Sequence, residues 1–189
     1  MAKSARERKF KPRVMTTAFL VFCEGQTEEA YLNMLRQNYR LPIKIIAKTT
    51  GQKISQNTIN RNKNKYGGLA KVFLMYDGDV EEILEKLQSF NETLLISCPC
   101  IELWFYSHYN VPDDTPITSK KCVEKLKSIH CWNNYEKATL SPIQADELWK
   151  KRLEAVSNME RCKDNKNNYS MIDEFIKILE KEKKGTHNA

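Results

Sequence analysis

The segment that most constrains the fold of this chain is a short apolar run that ends in two acids. Val72–Tyr76 is followed directly by Asp77-Gly78-Asp79. A run of this length and composition predicts a strand buried in a sheet. Because alternate residues of an extended segment point the same way, Asp77 and Asp79 are expected to face one small volume.

A second strand of the same kind is predicted near the N-terminus. Ala18–Phe22 is wholly apolar and ends at Cys23-Glu24-Gly25. Neighbouring carboxylates repel each other unless a cation lies between them, and ligand sets made only of oxygen suit Mg²⁺ or Mn²⁺. Two strands tipped with acids therefore predict a metal site, with Glu24, Asp77 and Asp79 as its ligands.

The order of the remaining elements predicts an α/β fold. Strands are expected at 18–22, 43–47, 72–76 and 93–97, separated by helices at 27–39, 52–65 and 80–90. This alternation favours a mainly parallel central sheet flanked by helices, in which ligands gather at the carboxyl ends of the strands. Three further helices, at 118–129, 142–159 and 169–184, predict a helical C-terminal half.

Local signals predict the ends and the buried faces of these helices. Thr27 is expected to cap the first helix, and Gly185 to end the last one. Tyr31 lies in the apolar stripe of the first helix, so core packing is favoured over a role as a covalent nucleophile. Apolar residues at helical spacing in the second half are assigned to the core: Val123, Leu126, Leu148, Leu153, Val156, Ile172, Phe175, Ile176 and Leu179.

One acid interrupts the almost wholly apolar stretch Ile101–Tyr106. Burying an unpaired carboxylate is costly, so Glu102 is expected to be neutral, hydrogen-bonded, exposed at its tip or bound to a metal. Alone, such a residue favours a structural role. Beside two strands tipped with acids, we expect it to be a further metal ligand. His108, just beyond this stretch, is expected to be a hydrogen-bonded structural residue rather than a catalytic acid or base.

The charge of the chain is unevenly distributed. Residues 1–76 hold fifteen lysines and arginines and four acids, whereas residues 77–189 hold sixteen and twenty. A surface of one sign favours a polyanion such as nucleic acid as its partner. The expected contacts are Lys53, Arg61, Lys63 and Lys65. A solvated basic surface without a partner is the alternative.

The cysteines and the apolar runs limit the class of protein. The six cysteines lack the paired spacing of a zinc site and are expected to be reduced and mostly buried. No apolar run approaches the roughly 20 residues that span a bilayer, and the basic N-terminus lacks the apolar core of a secretory signal. The sequence therefore predicts a cytoplasmic protein that does not enter a membrane. Its expected parts are a basic segment 1–15, an α/β core 16–110 and a helical part 111–189 packed on the same domain.

Five segments, in order along the chain, resemble the RloB-like family. Phe19–Tyr31 resembles its opening signature of strand, Glu-Gly, Thr-Glu and helix, and Met75–Asp79 resembles its acid-x-acid strand end. Ser97–Tyr109 is similar to its Asn-Pro-x-Phe-Glu-Leu-Trp…His block, with Ser-Cys-Pro-Cys-Ile in place of the usual start. Tyr135-Glu136-Lys137 resembles its Tyr-x-Lys element. Asn165–Ile176 resembles its closing Asn-Pro-Ser/Thr segment, but with Lys166 in place of the proline.

The resemblance implies a Toprim-like fold and a nuclease of bacterial anti-phage defence. Such an enzyme would use Mg²⁺ or Mn²⁺ to hydrolyse phosphodiester bonds of DNA, or of RNA such as tRNA. An ATPase is implied as a partner protein, and the sequence is compatible with an oligomer. Two other functions stay open: a non-catalytic nucleic-acid-binding subunit of a defence complex, and a primase-like nucleotidyltransferase. The lack of a glycine-rich nucleotide loop disfavours the last of these.

The residues and the resemblance together assign an expected role to each polar side chain of the site. Glu24, Asp77 and Asp79 are the expected principal ligands, and Glu102 an additional one. Glu28 either completes a second metal position or, as an acid in a first helical turn, stabilises the helix dipole. Lys137 either neutralises the phosphate in the transition state or is an ordinary surface lysine.

Overall fold

A five-stranded sheet forms the centre of the protein in the computed structural model, which describes residues 18–41, 43–46, 53–66 and 70–187. Its strands are β1 Phe19–Cys23, β2 Ile43–Ile46, β3 Lys71–Asp77, β4 Thr93–Cys98 and β5 Tyr169–Ser170. They lie in the order β2-β1-β3-β4-β5. The first four are parallel, and β5 is antiparallel to β4. The predicted α/β fold with a mainly parallel sheet is confirmed.

Within the described residues, seven α-helices flank this sheet. They are α1 Gln26–Tyr39, α2 Gln56–Asn64, α3 Glu81–Gln88, α4 Ile101–Ser107, α5 Ser119–Lys127, α6 Pro142–Arg161 and α7 Ile172–His187. A 3₁₀ turn at His130–Trp132 lies between α5 and α6. The helical C-terminal half is thus confirmed. No helix in the described part of the chain has the length and apolar character needed to cross a membrane.

The central strands are buried on both faces. Phe19, Val21 and Cys23 of β1 pack with residues of α1, α4, α6 and α7, whereas Leu20 and Phe22 pack with residues of α2 and α3. A strand covered on both sides requires an apolar residue at every position. This requirement explains why the two strands that lead to the site read as continuous apolar runs.

The helical second half shares its core with the sheet. Phe175 of α7 lies against Phe73 of β3 with ring centroids 4.8 Å apart, and against Phe19 of β1 at 6.4 Å. Tyr31 of α1 is fully buried in the same cluster, where its hydroxyl oxygen accepts a hydrogen bond of 2.7 Å from Trp104 Nε1. The core role expected for Tyr31 therefore agrees with its position. The basic segment 1–15 lies outside the described residues.

Three details of the C-terminal helices differ from the predictions. The helix predicted at 169–184 begins only at Ile172, because Tyr169–Ser170 pairs with β4 as an edge strand. It continues past Gly185, since a glycine costs only about 1 kcal/mol within a helix and does not end it alone. Leu153 is 53% exposed, because it lies outside the buried stripe of α6 that Leu148 and Ala155 form.

The cysteines agree with the expectation of reduced thiols. All six are unpaired; Cys23, Cys100, Cys122 and Cys162 are buried, and Cys98 and Cys131 are partly buried. Thiols in such surroundings act as small apolar side chains. They therefore contribute packing at the ends of β1 and α4 rather than covalent cross-links.

His108 is fully buried immediately after α4. Its Nδ1 lies 2.8 Å from the carbonyl oxygen of Trp104, and its ring meets the indole of Trp104 edge to face. Because a carbonyl oxygen can only accept, Nδ1 carries the proton and donates it. Burial lowers the pKa of the imidazole to about 4, so the side chain is neutral at physiological pH.

We expect His108 to make the stability of the fold sensitive to acid. A group whose pKa is lowered in the folded state contributes stability that is complete above its unfolded pKa and is lost as the pH falls through its folded pKa. His108→Asn retains a donor but cannot titrate. The free energy of unfolding of the natural chain should therefore fall relative to that of the variant between about pH 7 and pH 4, by about 1.4 kcal/mol for each unit of pKa shift.

Urea unfolding of both proteins across this pH range measures the difference directly. Acids elsewhere in the chain affect both proteins equally and cancel. A difference that does not change with pH would contradict a neutral, buried His108.

Candidate metal centre

The carboxyl ends of neighbouring parallel strands bring the acids of the site together. Glu24 directly follows β1, Asp77 is the last residue of β3, and the backbone N–H of Glu24 donates to the carbonyl oxygen of Met75 at 3.3 Å. Glu28 lies in the first turn of α1, and Glu102 in the first turn of α4, the helix that follows β4. Two strand ends and two helix starts therefore carry one acid each.

The charges of these four acids act on one another. Burial raises the pKa of Asp77 to about 8, and the charges of Glu28, Glu102 and Glu24 add to this rise. Burial likewise raises the pKa of Glu28, with further contributions from Glu102 and Glu24. A rise of this kind reports negative charge held in a poorly solvated volume without enough positive charge to balance it.

Glu102 is the most deeply placed acid of the group. Its side chain is fully buried, and Oε1 accepts a hydrogen bond of 2.9 Å from the hydroxyl of Tyr135. Oε2 lies 3.6 Å from Lys137 Nζ, which is an ion pair but too long for a hydrogen bond. Within the described residues Oε2 makes no hydrogen bond at all. One oxygen of a buried carboxylate is thus left without a donor.

The Tyr-x-Lys element supplies two side chains that contact Glu102. Tyr135 is buried, whereas the Lys137 side chain is 55% exposed, so its ammonium reaches the carboxylate from the solvent side. Burial lowers the pKa of Lys137, but the nearby carboxylate of Glu102 outweighs this effect and raises it. Lys137 is therefore a cation bound to the acids and not an isolated surface lysine.

A hydrogen bond between distant segments positions the Tyr-x-Lys element. The backbone N–H of Ala138 donates to Thr27 Oγ1 at 2.9 Å, and Ala138 adopts a left-handed conformation with φ 76°. Thr27 was expected to cap α1, but the cap residue is Gly25 and the threonine hydroxyl accepts from Ala138. The sequence offered no signal for this contact, since its partners are 111 residues apart.

Glu28 and Asp77 each combine their place in the cluster with a structural hydrogen bond. Glu28 Oε2 accepts from the backbone N–H of Gly25 at 3.0 Å, which satisfies one of the free amides at the start of α1. Asp77 Oδ1 accepts from the backbone N–H of Ile101 at 2.9 Å and so joins the end of β3 to the start of α4. Both roles expected for Glu28, helix start and acid cluster, are compatible with its position.

Asp79 was expected to face the same volume as Asp77, but it does not lie in the same strand. β3 ends at Asp77, so the alternation of an extended strand does not continue to Asp79. Asp79 is exposed and accepts a hydrogen bond of 2.8 Å from Ser119 Oγ at the start of α5. Gly78 between them passes close to β4: a Cβ there would lie 3.0 Å from atoms of Ile96 and Cys98.

The acids do not form a ready-made cage. Among the described residues, no three side chains of Asp, Glu, His or Cys stand in an arrangement that could hold a metal ion. The hydrogen bonds that Glu28, Asp77 and Asp79 make explain this arrangement, because each bond holds its carboxylate to the backbone or to α5. A cation would have to draw the carboxylates inward from these positions.

The basic residues expected to contact nucleic acid lie on and beside α2. Lys53, Arg61 and Lys65 are exposed. Lys63 differs, because its ammonium forms an ion pair of 2.9 Å with Glu92. This pairing neutralises one of the four expected contacts, and the sequence did not signal it because Glu92 is 29 residues away.

Comparison with known proteins supports one assignment. The family model of RloB-like proteins matches residues 19–179, which is most of the chain and includes every acid described above. Neither the comparison with curated proteins nor that with solved structures produced a match. The family match covers β1, the end of β3, the start of α4 and the Tyr-x-Lys element. The chain belongs to the RloB-like family.

Proposed function

We propose that this chain is a nuclease that hydrolyses phosphodiester bonds of RNA or DNA with Mg²⁺ or Mn²⁺ as its cofactor. The observation that carries the proposal is Glu102 Oε2, an oxygen of a fully buried carboxylate that has no hydrogen bond among the described residues and only the long ion pair of 3.6 Å with Lys137 Nζ. Polar atoms in such positions are usually paired, and an exception calls for a missing partner. A cation bound by oxygen ligands is the partner whose chemistry fits a group of acids.

The acids present fit a divalent cation by their chemistry. Glu24, Glu28, Asp77 and Glu102 offer only oxygen atoms, and their mutual repulsion, expressed in the raised pKa of Asp77, falls when a cation binds. Asp79 would join them only by giving up its hydrogen bond with Ser119. We therefore rank Asp79 behind the other four as a ligand.

The residues around the acids have separable roles in the proposed reaction. Held by Glu24, Glu28, Asp77 and Glu102, a divalent cation would activate a water and neutralise charge on the phosphate. Tyr135 fixes the orientation of Glu102 through its hydrogen bond. Lys137, held beside Glu102 yet exposed, is placed to contact a phosphate oxygen and to stabilise the charge that develops there.

The cellular role is proposed from the family alone. Membership of the RloB-like family supports a role in bacterial anti-phage defence, with an ATPase as a partner protein. The acids and Lys137 provide the chemistry that such a role requires, since cleavage of nucleic acid is a way to stop a phage.

A non-catalytic nucleic-acid-binding subunit is the second candidate. It is favoured by the finding that no three acids in the described part of the chain stand in an arrangement that could hold a metal ion. One assay separates the two functions. The full chain is incubated with labelled tRNA and with single-stranded and duplex RNA and DNA, in the presence of Mg²⁺, Mn²⁺ or a chelator. Cleavage that requires the cation supports the nuclease, and binding without cleavage supports the subunit.

Glu102→Gln tests the centre of the proposed site. The substitution keeps the shape of the side chain but removes the charge that a cation needs, so we expect cleavage to be lost and Mn²⁺ affinity to fall at least about tenfold. The free energy of unfolding should change by no more than about 1–3 kcal/mol. Calorimetric titration with Mn²⁺ measures the affinity.

Glu136→Gln is the matched control for this substitution. Glu136 is exposed and only one residue from Tyr135, so the same chemical change outside the cluster should leave cleavage and Mn²⁺ affinity unaltered. Unchanged Mn²⁺ affinity in Glu102→Gln would remove Glu102 from the ligand set. A loss of cleavage in both variants would point to a general effect of charge instead.

Asp77→Asn should stabilise the metal-free protein. Because the pKa of Asp77 is raised in the folded state, ionisation of this carboxyl opposes folding, and this destabilisation grows as the pH rises from about 4 to about 8. At about pH 8 in chelator, the variant should be more stable than the natural chain by about 1–3 kcal/mol. Cleavage should be lost.

Asp79→Asn is the control, because Asp79 is exposed and lies against α5. Its metal-free stability should stay within about 0.5 kcal/mol of the natural chain. Thermal and urea unfolding at several pH values measure both variants. An Asp77→Asn variant whose advantage is the same at all these pH values would contradict the repulsion among the acids.

A further inference from the structure

A groove of about 500 Å³ opens beside the acids, on the same edge of the sheet. Asp79 lines it and so connects it with the end of β3. Pro116 and Ile117 provide apolar surface above the buried Pro99, and Lys120 and Lys166 provide positive charge. Clefts of this volume with an apolar lining and a few polar groups are typical of sites for small ligands.

Two loops tied to each other form one wall of the groove. The carboxylate of Asp114 accepts hydrogen bonds from the backbone N–H groups of Lys166 and Asn167, at 2.9 and 2.8 Å. The buried amide of Asn168 donates to the carbonyl oxygens of Asp113 and Thr115, at 2.8 and 2.6 Å. These bonds join the two loops of this wall, so its shape is present before any ligand binds.

Lys166 contributes to the groove through both its backbone and its side chain. Its backbone N–H donates to Asp114 and so joins the two loops, and its side chain lines the groove.

We propose that the groove binds an unpaired nucleotide of a single-stranded nucleic acid, beside the bond that the proposed nuclease site cleaves. This inference rests on the proposed function and specifies its substrate class. The exposed ring of Pro116 and the partly buried side chain of Ile117 suit a nucleobase, and the buried Pro99 lies beneath them. Lys120 and Lys166 are exposed and make no ion pair within the described residues, so they are available to phosphates.

The polar group in the groove also fits a base. Asn167 uses its amide nitrogen to donate to the carbonyl oxygen of Asp114 at 3.0 Å, which leaves its amide oxygen to accept from an exocyclic amine of a base. A base must leave its stack to enter a concave groove of this size, and a base in a duplex pays an unpairing cost to do so. An unpaired strand is therefore the favoured ligand.

A second cavity in the described part of the chain is larger than the groove, but its charged residues do not suit a phosphate. It has a volume of about 610 Å³ between α6, β5 and α7. Its Lys177 is held by three acids, Glu160, Asp173 and Glu174, at 3.1, 3.0 and 2.8 Å. Lys163 also lines the cavity, but the three acids outnumber the two lysines, so the cavity does not favour an anion such as a phosphate.

The first test measures binding without cleavage. Fluorescence anisotropy in chelator follows labelled single-stranded DNA and RNA and the matching duplexes. Lys120→Glu combined with Lys166→Glu should lower the single-strand affinity at least about tenfold and reduce the slope of its salt dependence by about 1.4, which corresponds to two phosphate contacts. Thermal unfolding verifies that the variant folds.

The matched control is Lys127→Glu combined with Lys163→Glu. Both lysines are exposed, and the change in net charge is identical, but neither lines the groove. Its single-strand affinity should fall less than about threefold. Equal losses in the two double variants would overturn the groove as the binding site, and so would an unchanged affinity in the first one.

A second measurement tests for the base. A strand in which every nucleotide lacks its base keeps the phosphates but loses the group that the apolar surface contacts, and it should bind at least about tenfold more weakly than the normal strand. Equal affinity for the two strands, or for single strand and duplex, would overturn the proposal. The single strand that binds more tightly, RNA or DNA, identifies which type of nucleic acid the groove prefers.

These outcomes are independent of the cleavage assay. Suppose that single-strand binding depends on Lys120 and Lys166 but that no cleavage occurs with Mg²⁺ or Mn²⁺. This result would support the binding site in the groove and contradict the nuclease function. Cleavage that depends on Glu102 but not on the two lysines would support the nuclease function and contradict the binding site in the groove.

Discussion

The burial of the Glu102 carboxylate in the apolar start of α4 is the constraint around which the site is organised. A charge in this position must be balanced, and Tyr135 and Lys137 both contact it. These two residues come from the C-terminal half, and the bond from Ala138 to Thr27 holds their segment against α1. The helical half is thus joined to the α/β half at the acids, by polar contacts as well as by the shared apolar core.

The carboxylates of Glu28 and Asp77 have two opposite effects on the stability of the fold. Glu28 satisfies an amide at the start of α1, and Asp77 satisfies one at the start of α4. Both nevertheless lie near other acids in a poorly solvated volume, which raises the pKa of each. Perturbed pKa values of this kind are typical of functional sites. Neither helix start requires an acid cluster, and a cation at the proposed metal site would relieve the repulsion among these acids.

Asp79 links two regions that differ in character. On one side lie the acids; on the other lies a groove with apolar surface and two lysines. Ser119 holds Asp79 at their boundary. A polyanion that follows the groove would reach the acids from this side, with Lys137 exposed beside Glu102. The basic residues of α2 belong to the helix layer on the opposite face of the sheet from α4, so they are a separate surface.

The sequence by itself determined the α/β fold, the two strands tipped with acids and the burial of an acid in α4, because continuous apolar runs and helical spacing are local signals of burial. It also identified Glu24, Glu28, Asp77, Glu102 and Lys137, which the tertiary structure brings together. Only the tertiary structure decided that Tyr135 donates to Glu102 and that Ala138, next to the Tyr-x-Lys element, donates to Thr27. The same holds for the bond from Ser119 to Asp79 and for the strand at residues 169–170. Each of these depends on a partner between 33 and 111 residues away, and no local pattern encodes which distant group satisfies a hydrogen bond.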